Sequence, residues 1–247
     1  MLLKSQVKYI QSLGQKKFRD SEGAFIAEGP KIVNEILKES TAEPIEIFAL
    51  KEWITNHVVL LNKSEHHRVT EIPPHQLERL SGFSTPNQVL AIFKKPRFVK
   101  HSITKKISLA LENIQDPGNL GTIIRIADWF GLSEIFCSES SADAFNPKTI
   151  QASMGSIARI QVHYKNLTEF FQENEAIEKF ATLPEGPSMF DIKPPKEAII
   201  LIGNESQGIS AGLLPYCRNR ITIPRKGHAE SLNAAIAAGI ILSHFVQ

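Results

Sequence analysis

Residues 107–131 read ISLALENIQDPGNLGTIIRIADWFG, and the pattern changes once along them. The apolar opening, ISLALEN, has the length and composition of a strand. Pro117, Gly118 and Gly121 then permit a tight turn, and NLGTIIRIADWFG continues as a helix that Gly131 stops. Further on, EIFCSE (134–139), EAIILIGNE (197–205) and NRITIP (219–224) also read as strands, and SLNAAIAAGIILSHF (231–245) reads as a closing helix. Strand alternating with helix predicts a mostly parallel α/β sheet with helices on both faces.

Ahead of this region, AFIAE (24–28), IEIFAL (45–50) and QVLAIF (88–93) alternate with helix-like segments such as GPKIVNEILKES (29–40), where Pro30 suits an early helical position. These describe a second, smaller α/β domain. Between the two, KKPRFVKHSITKK (94–106) carries six Lys or Arg. The expected division is therefore 1–96, a basic linker at 97–106, and 107–247.

A chain of 247 residues can bury a real core without a disulfide or structural metal. The two cysteines, Cys137 and Cys217, lack CxxC spacing and fit a reducing compartment, and the histidines form no HxxxH or HExxH pair, so no metal site is expected. Lys4 and Lys8 interrupt the opening MLLKSQVKYIQSLGQKK before a signal-peptide core can form, and no apolar run approaches the length of a membrane span. A soluble cytoplasmic protein is expected. The net charge of +2 is too small to mark a nucleic-acid binder by itself, but Lys16, Lys17 and Arg19 form a basic cluster.

In parallel α/β domains ligands gather where strand carboxyl ends run into helix N-termini. Three segments hold that position. In the first, Asp116 and Asn119 have the residue types of a turn and N-cap, and Arg125 could pair with a surface carboxylate as readily as with a ligand. The second, LIGNESQGIS (201–210), has Gly203 and Gly208 but neither the lysine of a phosphate loop nor a GxGxxG pattern. Glu205 there disfavours phosphate; it suits a neutral or positive ligand, a hydrogen-bond acceptor role, or plain exposure. In the third, Gly227 lets the backbone turn after Ile223 and Pro224, and the helix is expected to begin at Glu230 or Ser231. Asn233 would then lie inside a helix among small apolar neighbours, where asparagine is poorly placed without a polar partner.

Together NIQDPGNLGTIIRIAD (113–128), LIGNESQGIS (201–210) and ITIPRKGHAESLNAAIAAGIIL (221–242) resemble, in order and spacing, the three motifs of the SpoU (TrmH-like) RNA ribose methyltransferases of the knotted superfamily. IQSLGQKKFRDSEGAFIAEGPKIVNEIL (10–37) and LSGFSTPNQVLAIFKKP (80–96) resemble that family's small substrate-binding domain, and QASMGSIARIQV (151–162) its segment between the first two motifs. The resemblance implies a trefoil knot, S-adenosylmethionine as methyl donor, a ribose 2′-hydroxyl of RNA as acceptor, ribosomal more readily than transfer RNA, and a homodimer. It implies catalytic roles for Asn119, Arg125, Glu205, Ser231 and Asn233, and cofactor contacts at Gly203, Asn204, Ile223 and Leu232. Ile126, Arg225 and Lys226 depart from the family pattern without removing an implied catalytic group.

On this reading Arg125 stabilises the developing alkoxide and grips a phosphate, Ser231 helps pass the proton on, the two asparagines orient ribose and loops, and Glu205 fixes Arg125 or accepts from the cofactor. Lys16, Lys17, Arg19 and the linker would bind RNA phosphates. The competing class is a non-catalytic RNA-binding or ribosome-assembly factor that keeps the fold.

Overall fold

A computed structural model describes residues 2–39, 41–62, 68–98 and 106–246. Most of the expected basic linker, residues 99–105, lies outside the described residues. The chain packs as two compact units: residues 1–99 with 143–159, and residues 100–142 with 160–247.

The first unit is built on helices α1 (Lys4–Ser12) and α2 (Lys16–Glu22), strand β1 (Ala24–Glu28), helix α3 (Pro30–Leu37), strand β2 (Pro44–Ala49), helices α4 (Lys51–Asn56) and α5 (Val58–Leu61), strand β3 (Arg68–Glu71), helix α6 (Pro74–Leu80) and strand β4 (Val89–Lys94). Its four-stranded sheet has the order β1-β4-β2-β3. β4 pairs antiparallel with both β1 and β2, and β2 pairs parallel with β3.

Alternation along the strands separates two faces. Ala24, Ile26, Leu90 and Ile92 pack with Val7 and Ile10 of α1 and Leu77 and Leu80 of α6. Phe25 and Phe93 stack on the other face, where α3 lies. That face also receives residues 143–159, with Phe145 against Phe25 at 5.1 Å between ring centroids. Arg19 fastens this late segment to the early one. Its Nε and Nη2 donate to Asp143 Oδ2 at 3.1 and 2.5 Å, and its Nη1 donates to the Leu13 carbonyl at 2.8 Å.

The second unit begins with strand β5 (Ile107–Leu111), helix α7 (Pro117–Trp129) and strand β6 (Glu134–Ser138). Helix α8 (Pro147–Ser153) belongs to the segment given to the first unit. There follow strand β7 (Gln161–Lys165), helix α9 (Leu167–Glu173), strands β8 (Lys179–Thr182), β9 (Ala198–Ile202) and β10 (Asn219–Ile221), and helix α10 (Ala234–Phe245). The six strands run in the order β10-β8-β9-β5-β6-β7 and every neighbouring pair is parallel.

Every residue of β9 is buried, as a strand covered on both faces requires. Ala110, Phe136, Ile199 and Leu201 pack with Phe170 and Phe171 of α9 on one face. Phe180, in register with Ile200, meets Phe245 of α10 on the other. Helix α7 buries Leu120, Ile123, Ile124 and Ala127, the spacing of a single helical stripe, and α10 packs against it. No described helix is long and apolar enough to cross a membrane.

Candidate active site

Strands β5 and β9 are neighbours, yet β6 follows β5 on its opposite side. The order reverses between them, and at such a switch point the loops leaving the carboxyl ends diverge and open a crevice. The loops at 112–116 and 203–208 leave from there, because Leu111 and Ile202 are register partners.

Each loop is shaped by its own side chains. Asp116 caps α7 by accepting from the Asn119 backbone N–H at 2.8 Å, and Pro117 takes the first helical position, where no N–H is needed. A Cβ on Gly203 would lie 2.4 Å from the carbonyl carbon and oxygen of Gly208, so only glycine admits the close pairing of Asn204 with Gly208. The Asn204 side chain is committed within this frame: Oδ1 accepts from the Ser206 and Gln207 N–H groups at 2.8 and 3.0 Å, and Nδ2 donates to the Asn113 carbonyl at 2.8 Å.

The third segment corrects an expectation. The last helix starts at Ala234, not at Glu230 or Ser231, and Asn233 is its N-cap. Asn233 Oδ1 accepts from the Ala235 and Ile236 N–H groups at 3.0 and 3.3 Å. Its Nδ2 donates to Asn119 Oδ1 at 2.8 Å, and Asn119 Nδ2 donates to Glu205 Oε1. Glu205, Asn119 and Asn233 thus connect the three segments in one chain of hydrogen bonds. A carboxylate only accepts and helix N–H groups only donate, so both amides are forced into a single orientation.

Of the expected catalytic residues, the structure brings these three into contact. Ser231 is exposed two residues before Asn233, and Arg125 is exposed on α7. Neither makes a side-chain hydrogen bond or ion pair among the described residues. Arg125 and Glu205 are therefore not paired, contrary to one expectation; the described partner of the carboxylate is Asn119, through one oxygen. Six residues along an ideal helix place Arg125 about 120° around α7 from Asn119. Ile126 packs against α10, where a Cβ on Gly239 would lie 3.6 Å from its Cδ1.

No backbone N–H from Ile223 to Asn233 donates a hydrogen bond to a described residue. The segment's own closure is the bond from Arg225 Nη1 to the Ala229 carbonyl at 3.1 Å. The protein itself leaves these donors unspent, in a segment exposed from Pro224 to Asn233.

Sequence reading missed two residues that hold the loops together. Asn113, with φ of 56°, donates its backbone N–H to Ser138 Oγ at 2.8 Å, and Glu112 Oε2 accepts from the Ser210 N–H at 2.8 Å. The available signal for Asn113 was an asparagine directly after a strand, the residue type most tolerant of left-handed backbone after glycine. Arg19 also requires correction: at 2% exposure and bound to Asp143, it cannot reach an RNA phosphate. Lys16 and Lys17 of the same cluster are exposed.

Residues 106–243 match the model of the SpoU rRNA methylase family, which is more than half of the chain and contains all three loops. The chain belongs to the SpoU rRNA methylase family. Residues 4–91 match an MRM3-like substrate binding domain. Among this SpoU member's relatives is the 23S rRNA (guanosine(2553)-2′-O)-methyltransferase RlmP of Bacillus subtilis, 34% identical over 97% of this chain and 95% of the relative. An AdoMet-bound rRNA methyltransferase from Sinorhizobium meliloti superposes with a TM-score of 0.86 at 30% identity, over 99% of this chain and 95% of the other. A TrmH-family protein from Porphyromonas gingivalis gives a TM-score of 0.85 at 34% identity, over 99% and 98%.

Proposed function

We propose that this SpoU-family enzyme transfers the methyl group of S-adenosylmethionine to a ribose 2′-hydroxyl in ribosomal RNA. The observation that carries the reading is the hydrogen-bond chain Glu205–Asn119–Asn233, which joins the three motif loops at the switch point of the parallel sheet. S-adenosylmethionine supplies a methyl on a sulfonium already activated for transfer, so the protein's task is alignment and proton removal. Backbone of the loops around Gly203, Ile223 and Leu232, with Asn204 shaping the first of them, would hold the cofactor.

Asn119 and Asn233, each fixed by partners on both sides, orient the ribose. Arg125 offers a guanidinium with no described carboxylate to satisfy, so it serves to stabilise an alkoxide and hold the adjoining phosphate. Ser231 stands close in sequence to pass the hydroxyl proton outward. Lys16 and Lys17, with the basic linker, add salt-sensitive attraction for RNA.

The working form is a homodimer. Support comes from large apolar side chains left in water on the paired helices α7 and α10 and just before α10: Trp129 is 84%, Ile236 55% and Leu232 46% exposed. We assign the family's trefoil knot to the second unit, in keeping with a strand order that returns β8 and β9 beside β5 before β10 reaches the edge. The reaction needs no metal, and the two buried thiols suit a reducing cytoplasm. Mapping ribose methylation in ribosomal RNA from cells with and without this protein tests the proposal: one or more 2′-O-methyl sites vanish with it, whereas an unchanged map contradicts it.

A further inference from the structure

The first unit carries a recess of about 370 Å³ that methyl transfer does not use. Its walls are the start of α3, the loop 83–87 and part of α8. We infer that this recess holds one unpaired nucleotide of the substrate RNA, an assignment that rests on the proposed function and names how the substrate is read.

Phe83 is half-buried and lines the recess, so it supplies an aromatic surface on which a base can stack. Around it Ser84, Thr85, Asn87 and Gln151 line the recess, all exposed, and none makes a side-chain hydrogen bond among the described residues. These are unspent donors and acceptors of the kind that read base edges. Lys31, exposed at the start of α3, forms no ion pair among the described residues and offers its charge to a phosphate.

The carboxylate in the wall does not oppose this. Glu28 accepts from Ser81 Oγ through one oxygen and from the Gly82 N–H at 3.0 Å through the other. It is a positioning residue that fixes the turn carrying Phe83. Gly29 caps α3 at φ of 89°, a backbone conformation that favours glycine, and leaves the helix start without a capping side chain. An aromatic plate, free polar tips and an unopposed cation match a nucleotide better than an acidic peptide, which would leave the plate and tips unused. The volume admits a single splayed nucleotide and excludes a stacked duplex.

The test uses the full chain, with a short oligouridine strand and a short blunt RNA duplex as probes. Phe83→Ala and Lys31→Glu each weaken oligouridine binding by about tenfold or more; Phe83→Tyr keeps the parent's affinity, and duplex binding changes little. Lys31 is exposed, so its variant reports without disturbing the fold, and thermal melting checks the Phe83 variant. Affinities for oligouridine indistinguishable from the parent's in both variants, equal loss for strand and duplex, or capture of an acidic peptide in place of oligouridine would overturn the assignment. A parent chain that transfers no methyl to ribosomal RNA would fail the proposed function alone, since the binding comparison still decides the recess.

Discussion

Asn119 divides its amide between two partners that come from different loops, which makes it the side chain whose loss should be felt furthest. Asn119→Ala removes the donor to Glu205 and the acceptor for Asn233 together. Asn233 permits a finer separation, because it both caps α10 and donates to Asn119. Asn233→Asp keeps a capping acceptor but cannot donate, so methyl transfer should fall with the melting temperature nearly unchanged. Asn233→Ala should lose transfer and also about 1 kcal/mol of stability. Arg125→Ala should cost about 100-fold or more in turnover while calorimetry still detects cofactor binding; parent-like turnover would remove Arg125 from the mechanism. At this scale Asn233 was legible, since an asparagine among alanines and isoleucines asks for a partner. Arg19 was not. Charged residues default to the surface, and its partner Asp143 stands 124 positions away.

Elements were legible where their pattern was long. The strand at 24–28 appears as read, as does the helix start at Pro30. The strands read at 107–113, 134–139 and 197–205 form over the shorter spans 107–111, 134–138 and 198–202. The helix read from Asn119 starts two residues earlier, at Pro117, which takes the place of the expected turn. β8 escaped notice because it has four residues and begins with a lysine. Lys179 is nonetheless buried, its Nζ donating to the Asn174 and Ile177 carbonyls beyond the end of α9 at 2.5 and 2.8 Å. The start of α10 was misplaced because a cap and an interior asparagine look alike in one sequence. Gly203→Ala forces the 203–208 loop apart and should cost about 1–3 kcal/mol, with weaker cofactor uptake by calorimetry.

The turn after α6 gives a pH prediction. Burial raises the Glu28 carboxyl above its ordinary value of 4.5, against the lowering by its bonds from Ser81 and Gly82. The folded chain therefore keeps a proton that the unfolded chain has already lost, and Glu28's contribution to stability declines as pH rises from 4.5 through the folded value. Glu28→Gln should remove that decline, as urea titrations across the acid range would reveal; an unaltered slope would assign the pH dependence to other groups.

For the molecule as a whole, alternating strand and helix announced two α/β regions, and the order of the motifs announced the methyltransferase. Its packing units were not readable, because residues 143–159 lie within the stretch matched to the methylase family yet pack with the first unit. The contacts that place them, Arg19 with Asp143 and Phe25 with Phe145, join residues far apart in sequence. The dimer proposal belongs to this scale too. Ile236→Glu puts a charge into the exposed apolar patch and should shift the sedimentation coefficient to that of one chain; a parent that already sediments as one chain would remove the dimer from the account.

The most direct measurement supplies the parent protein with ribosomal RNA lacking its own modification and S-adenosylmethionine labelled in the methyl group, then digests the RNA to nucleosides. The label is predicted in a 2′-O-methylated nucleoside. Label on a base, or RNA left unlabelled by a folded protein, would contradict the convergence of the three loops on methyl transfer to a ribose.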